Sequence, residues 1–181
     1  MSLPFNLTLN QRVFTVPQRQ PNSQNCFVCG VANPIGLHLE FYDSGPGEVT
    51  AEITLPSQYQ GYPGIAHGGV IAAMLDEVAG RTHMGEGANP RFMFTVRLDV
   101  RYRKNVPIGQ PLRLVGKAGE STGRKAMASS AIYGPDGTLL ANAEAVLVNV
   151  PDHMIQNSDL DALGWRVYSD DELARGIQAP N

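Results

Sequence analysis

His67-Gly68-Gly69 stands directly before a run of apolar residues, and Asp76 and Glu77 close that run. Burying an ionised carboxylate without a partner costs several kcal/mol, so an acid at this place has a reason. One reason is function. The other is structural, in which Asp76 or Glu77 pairs with Arg81, four or five residues on, or with a strand arginine. Gly68 and Gly69 bring bare backbone N–H groups to a helix start. There the first four donors lack intrahelical partners and the dipole is positive, so the terminus can polarise a carbonyl oxygen or hold an oxyanion. The same glycines would also let a loop pack closely on a sheet.

Spacing constrains how the two features can cooperate. Gly68 and Asp76 are eight residues apart, about 12 Å along one helix at 1.5 Å per residue. One helix cannot present both to one reacting atom. If they act together, the carboxylate comes from a second helix, and the simplest source is a second copy of the chain in a two-fold dimer. This predicts two equivalent sites at a subunit interface, in a homodimer or a dimer of dimers.

The elements that must position these residues follow from periodicity. The run 70–75 is apolar on every side and rich in helix formers, which predicts a buried helix over about 68–83. Leu37, Leu39 and Phe41 alternate with His38 and Glu40, which predicts a short strand. After the turn at Ser44-Gly45-Pro46-Gly47, Val49, Ala51, Ile53 and Leu55 alternate with polar residues in a half-buried strand. Val96, Leu98, Val100 and Tyr102 alternate with charged residues in another strand, closed by Pro107-Ile108-Gly109. Strands follow at about 111–119, 124–133 and 139–150, the last two joined across Gly134-Pro135-Asp136-Gly137 as an antiparallel hairpin. One buried helix and four consecutive strands give an α+β fold, a meandering antiparallel sheet around a single central helix.

The segment 1–25 is polar with nothing to bury and reads as an N-terminal arm or linker. Residues 26–150 form the domain, and 151–181 an acidic tail, with Asp159, Asp161, Asp170, Asp171 and Glu172, where Ser169-Asp170-Asp171-Glu172 has capping-box spacing for a short helix. The tail carries no assigned chemistry.

The stretch Gly61-Tyr62-Pro63-Gly64-Ile65-Ala66-His67-Gly68-Gly69-Val70-Ile71-Ala72-Ala73-Met74-Leu75-Asp76, followed by Thr95-Val96-Arg97-Leu98 and by 102–107, resembles the hotdog-fold acyl-CoA thioesterases. It is most similar to the branch holding the phenylacetate-pathway and thioesterase superfamily member 4 types. The resemblance covers about 26–150 and implies hydrolysis of an acyl-CoA thioester to free acid and CoA. By position it implies that Gly68 N–H, with Gly69 beside it, polarises the thioester carbonyl. Asp76 of the partner subunit would then be nucleophile or general base, His67 would shape the helix start and contact the carbonyl region, and Thr95 would position water or the acid. Glu77 points about 100° away from Asp76 on a helix, so only one of them faces a given site. Family positions that hold an Asn or Gln six before the histidine, and a hydroxyl four after the acid, are Gly61 and Gly80 here. Strand alternation counted from Val96 also puts Thr95 on the face of Arg97. These departures motivate an alternative, a non-catalytic hotdog module that binds acyl-CoA. A hydratase of the same fold would place a histidine five residues after the acid, where this chain has Arg81.

Arg91, Arg97, Arg101, Arg103 and Lys104 crowd five of the fourteen basic residues into one stretch, opposed there only by Asp99. Clustered Arg and Lys suit the phosphates of coenzyme A as well as a solvated strand face, with Arg103, Lys104 and Arg101 the candidates for phosphate contact. Cys26-x-x-Cys29 is half a zinc site with only His38 nearby, and a redox role would want a βαβ context that is absent, so the pair is read as structural and no metal is assigned. No metal or redox cofactor is expected, because a thioester is already activated.

Composition excludes other classes. With 181 residues and 43% hydrophobic residues the chain supports one cored domain. A net charge of -3 argues against nucleic acid as a partner. No apolar run approaches a membrane span, and residues 1–14 lack a signal-peptide pattern, so the expected location is cytoplasmic. Charged residues are only 17%, against about 25% in ordinary domains, consistent with surface hidden in an oligomer.

Overall fold

The computed structural model describes residues 17–85, 90–156, 160 and 162–175. The elements in chain order are β1 (Gln18–Arg19), β2 (Tyr42–Gly45), β3 (Glu48–Thr54), α1 (Gly68–Gly80), β4 (Met93–Tyr102), β5 (Pro111–Thr122), β6 (Lys125–Tyr133), β7 (Leu139–Asn149), α2 (Asp152–Gln156) and α3 (Asp170–Arg175). The strands form one antiparallel sheet in the order β1-β2-β3-β5-β6-β7-β4. α1 packs on it, burying Ile71, Met74, Leu75 and Val78 against Leu112, Leu114, Ile132 and Ala143, and Ala79 against Ala128, Ala145 and Leu147. This is the α+β hotdog arrangement of an antiparallel sheet around one central helix. Among the described residues no helix is long and apolar enough to cross a membrane.

Gly116 of β5 sets how closely helix and sheet approach. A Cβ there would collide with the Val78 carbonyl oxygen of α1 and lie 2.9 Å from Thr82 Cγ2. α1 ends at Gly80 and tightens into a 3₁₀ turn, Arg81–His83, within the span predicted as helix.

Four expectations need correction. The strands do not all run as a meander: β5, β6 and β7 do, but β4 pairs with β7 at the sheet edge and β5 pairs with β3. The β4–β5 connection crosses between them, tied down by a bridge between Ile65 and Pro107. Alternation reveals which face of a strand is buried but not which strand lies beside it.

Residues 37–41 are not a strand. Leu37, Leu39 and Phe41 are buried as their alternation implies. However, His38 has φ 52°, and the Leu37 and Leu39 N–H groups donate to Phe27 and Val28 (2.8 and 2.9 Å). A left-handed residue interrupts a ladder, so this stretch packs on the Cys26–Gly30 loop instead.

The arm reading fails where the chain is described. Gln18–Arg19 pair with β2, and Gln20 and Asn22 are 4% and 6% exposed. Their polar side chains are buried because a buried cation, Arg81, needs them: its Nη1 donates to Gln20 Oε1 (3.3 Å) and to the Pro21 carbonyl (2.9 Å), and its Nη2 to Asn22 Oδ1 (3.3 Å). Residues 1–16 lie outside the described residues, as do Asp159 and Asp161 of the tail. The capping box forms at α3: Glu172 N–H donates to Ser169 Oγ (3.4 Å) and Ser169 N–H to Glu172 Oε2 (2.9 Å).

The fourth correction concerns β4. Thr95 pairs with Leu147 and Arg97 with Val146, so Val96 is an extra residue, a β-bulge. Phe94, Val96 and Arg97 face out, while Met93, Thr95, Leu98 and Val100 face the helix side. Thr95 therefore does not share the face of Arg97, as simple alternation implies.

Candidate active site

His67 is the N-cap of α1, with extended backbone (φ -64°, ψ 137°). Its Nδ1 accepts from Gly69 N–H at 3.0 Å, and its carbonyl accepts from Val70 and Ile71 N–H (3.0 and 3.1 Å). A neutral ring that accepts at Nδ1 carries its proton on Nε2. With His67 N–H donating to the Tyr59 carbonyl (2.9 Å), three of the four orphan donors at this helix start, those of His67, Gly69 and Val70, are satisfied, and Gly68 N–H has no partner among the described residues. The ambiguity between the two glycines disappears: Gly69 N–H is occupied, Gly68 N–H is free. Sequence reasoning missed Tyr102, whose hydroxyl donates to the Gly68 carbonyl at 3.0 Å and pins the helix start to the end of β4. Only an exposed tyrosine inside the basic cluster, between Arg101 and Arg103, could have signalled it.

At the other end of the same face Asp76 meets Thr95. Asp76 is half-buried, and its Oδ1 is shielded from solvent with no hydrogen-bond partner among the described residues. Burial pushes its carboxyl above the usual range, the Thr95 hydroxyl pulls it partly back, and the neighbouring Glu77 charge pushes it up again. Both residues line two adjoining depressions. One, of about 370 Å³, runs along Ala72, Ala73 and Leu98, and the other, of about 260 Å³, reaches Cys26, Glu77 and Arg91.

Glu77 takes the structural role. Arg81, 2% exposed, donates from Nε to Glu77 Oε1 at 2.9 Å and lies over the Phe41 ring at 4.1 Å. The rivalry between the two acids resolves as helix geometry requires, one toward Thr95 and one toward Arg81.

The basic stretch divides. Arg91 is tied to Asn149, Ser121 and Gly123, and Arg97 lies 3.8 Å from Asp99. Arg103 donates to Asn142 Oδ1 (2.6 Å), and Arg101, Arg103 and Lys104 remain exposed around Tyr102, at the Gly68 end of the site. Gly61 and Gly80 bring no side chain, and the neighbouring Gln60 turns its Oε1 to Gly64 N–H (3.3 Å). His83 is engaged with the Met127 carbonyl (2.7 Å).

Cys26 and Cys29 lie with Glu77, not with His38, which is exposed elsewhere. Of the two thiols Cys26 loses its proton first, because Cys29 S–H and the Cys29 and Val28 N–H groups face its sulfur; Cys29 is pushed up by Cys26 and by burial.

Residues 63–141 match the family model of the thioesterase superfamily. The acyl-coenzyme A thioesterase THEM4 of Rattus norvegicus is 29% identical over 119 residues, 64% of this chain and 50% of that one. The human acyl-coenzyme A thioesterase THEM5 is 41% identical over 56 residues, 29% of this chain and 21% of that one. The chain thus spans half or less of the length of these curated relatives. Among solved structures, a thioesterase superfamily protein superposes with a TM-score of 0.63 at 32% identity, over 69% of this chain and 63% of that one. A hypothetical thioesterase of Streptococcus pneumoniae, crystallised with coenzyme A, superposes at 0.56 with 18% identity, over 62% and 85%. The part of the chain that matches the thioesterase superfamily model, residues 63–141, thus runs from the loop before α1 into β7 of this sheet-and-helix domain.

Proposed function

We propose that the chain hydrolyses an acyl-CoA thioester to the free acid and CoA. The observation that carries the reading is the pairing of an unpartnered helix-terminal N–H at Gly68 with a shielded carboxylate at Asp76. Gly68 N–H takes the thioester oxygen, where negative charge develops as the carbonyl becomes tetrahedral. Asp76 acts as general base on a water held against Thr95: the water proton moves to the carboxylate while oxygen bonds to the acyl carbon. Collapse of the intermediate breaks the C–S bond, and the proton passes to the departing CoA sulfur. His67 keeps Gly69 N–H occupied and the Gly68 N–H pointed outward. Arg101, Arg103 and Lys104 are placed to meet the CoA phosphates beside that end.

The two halves of this site sit at opposite ends of one helix, so the reaction needs two chains. β4 is a ten-residue edge strand that exposes Phe94 at 46% and Val96 at 58%. Gly68 lies at its Tyr102 end and Asp76 at its Thr95 end. Antiparallel pairing of two such edges about a two-fold axis puts the Thr95 end of one chain beside the Tyr102 end of the other. That brings Asp76 of each chain toward Gly68 of its partner. No residue of this scheme supplies or requires a metal or redox cofactor.

The test is thiol release from a panel of short, medium, long and aromatic acyl-CoAs, wild type against Asp76→Asn, with mass measured by light scattering. Turnover by wild type, lost in the variant, with a dimer or larger assembly in solution, is expected. An active monomer would overturn the shared site. Tight CoA binding with no turnover of any thioester would place the chain among non-catalytic binders.

A further inference from the structure

We infer that Cys26, Cys29 and Glu77 form a zinc site with an open fourth position on the depression beside Asp76. The inference does not depend on the thioester chemistry.

The ligand atoms of these three residues, two Sγ and one carboxylate oxygen, lie within 4.8 Å of one another, and Cys26 Sγ is 4.0 Å from Glu77 Oε2. Tetrahedral zinc with Zn–S of about 2.3 Å places its ligands roughly 3.5–4 Å apart, so small side-chain rotations close the set. The cysteine loop has the shape a metal-bound thiolate needs. Val28 and Cys29 N–H groups point at Cys26 Sγ (3.3 and 3.5 Å), and Gly30 N–H donates to the Cys26 carbonyl (2.9 Å). The loop closes so tightly that a Cβ at Gly30 would collide with that carbonyl oxygen. Such N–H groups support a ligating sulfur and hold its orientation.

Glu77 is equally prepared. Arg81 occupies Oε1 at 2.9 Å, leaving Oε2 on the cysteine side. Charge also closes: two thiolates and a carboxylate carry three negative charges, matched by the two of the ion and the one of buried Arg81. Loading releases the thiol protons to solvent. Two thiolates select zinc over calcium or magnesium. The three ligands are one short of tetrahedral, and the depression of about 260 Å³ that Cys26 shares with Asp76 leaves room for water at the fourth. A bound ion would clamp the Cys26–Gly30 loop to α1 one residue from Asp76.

The experiment uses the full chain, stripped with chelator and kept reduced with a phosphine, titrated first with cobalt(II) and then with zinc. One cobalt per chain is expected, with thiolate-to-cobalt charge-transfer absorbance that zinc abolishes, and zinc should raise the melting temperature. Cys26→Ser, at a half-buried position, keeps shape and fold and should weaken zinc binding by about 100-fold or more, the upper end of what disturbing groups around a metal costs. Glu77→Gln should weaken it too, but it also loosens Arg81, so Cys26→Ser decides. The inference is overturned by reduced wild type that binds no metal, by cobalt binding without a thiolate band, or by Cys26→Ser binding zinc as wild type does. Quantitative formation of a Cys26–Cys29 disulfide in the presence of excess zinc would overturn it equally.

Discussion

Replacing Asp76 by Asn keeps the size and shape of the side chain and removes its charge, so it separates catalysis from folding. As a general base Asp76 contributes about 10²–10⁴ in rate, and the variant should lose that much kcat. Stability should move the other way. Oδ1 is shielded and unpartnered; an amide leaves a polar atom there too, but it removes the charge, whose added desolvation cost is roughly 1–3 kcal/mol. For a half-buried residue the lower end applies, a gain of about 1 kcal/mol for the variant, or about 2–4 °C in Tm for a chain of this size. The gain should depend on pH with a definite sign. Burial lifts the folded carboxyl above its ordinary 3.8, so between the two values the folded chain holds a proton that the unfolded chain has lost. Wild-type stability therefore falls as pH rises through that window, while the Asn variant has no such titration. The gap is fully open above the folded pKa and closes below about pH 4. Thermal melts of both proteins across that range, beside thiol-release assays, read both effects. A variant that is less stable at neutral pH, or one with unchanged kcat, would refute the reasoning.

Other perturbations test the frame around the site. Arg81→Ala leaves Glu77, Gln20 and Asn22 without their common partner and should cost about 3–5 kcal/mol, seen as an earlier denaturant midpoint. Gly116→Ala drives a methyl group into the Val78 carbonyl and should cost about 1–3 kcal/mol by the same measurement. Tyr102→Phe removes one exposed hydrogen bond to Gly68 and should cost under about 1 kcal/mol in stability, while lowering kcat more than it raises KM.

Much of the domain was legible because its core is periodic. β3, β5, β6, β7 and α1 follow from runs whose burial repeats every two or every three to four residues, and the Asp136 turn follows from its own chemistry. The capping box at Ser169 needed only residue types three apart. What escaped depends on contacts between segments far apart in sequence. Gln20 and Asn22 look like linker until Arg81 is placed beneath them. Leu37, Leu39 and Phe41 have the pattern of a strand, but His38 turns the backbone aside. At the site, Asp76 and Gly68 stood out by type and position. The Tyr102 anchor and the approach of Glu77 to the cysteines did not, since each is a pairing whose partners carry no local signal. The face on which Thr95 lies was hidden by a single surplus residue, which inverts parity along the strand.

That surplus residue also sets a length. Deleting Val96 would leave Thr95 facing the helix, so aiming Thr95 is not what the bulge contributes. Its effect falls on the outer rail of the sheet, where the regular spacing of donors and acceptors is broken between Thr95 and Arg97. Only the stretch from Arg97 to Tyr102 is left as an uninterrupted template, roughly 20 Å at 3.4 Å per residue. Any strand that adds there, from a second copy or from another chain, has a six-residue ruler to match and no register that extends past it.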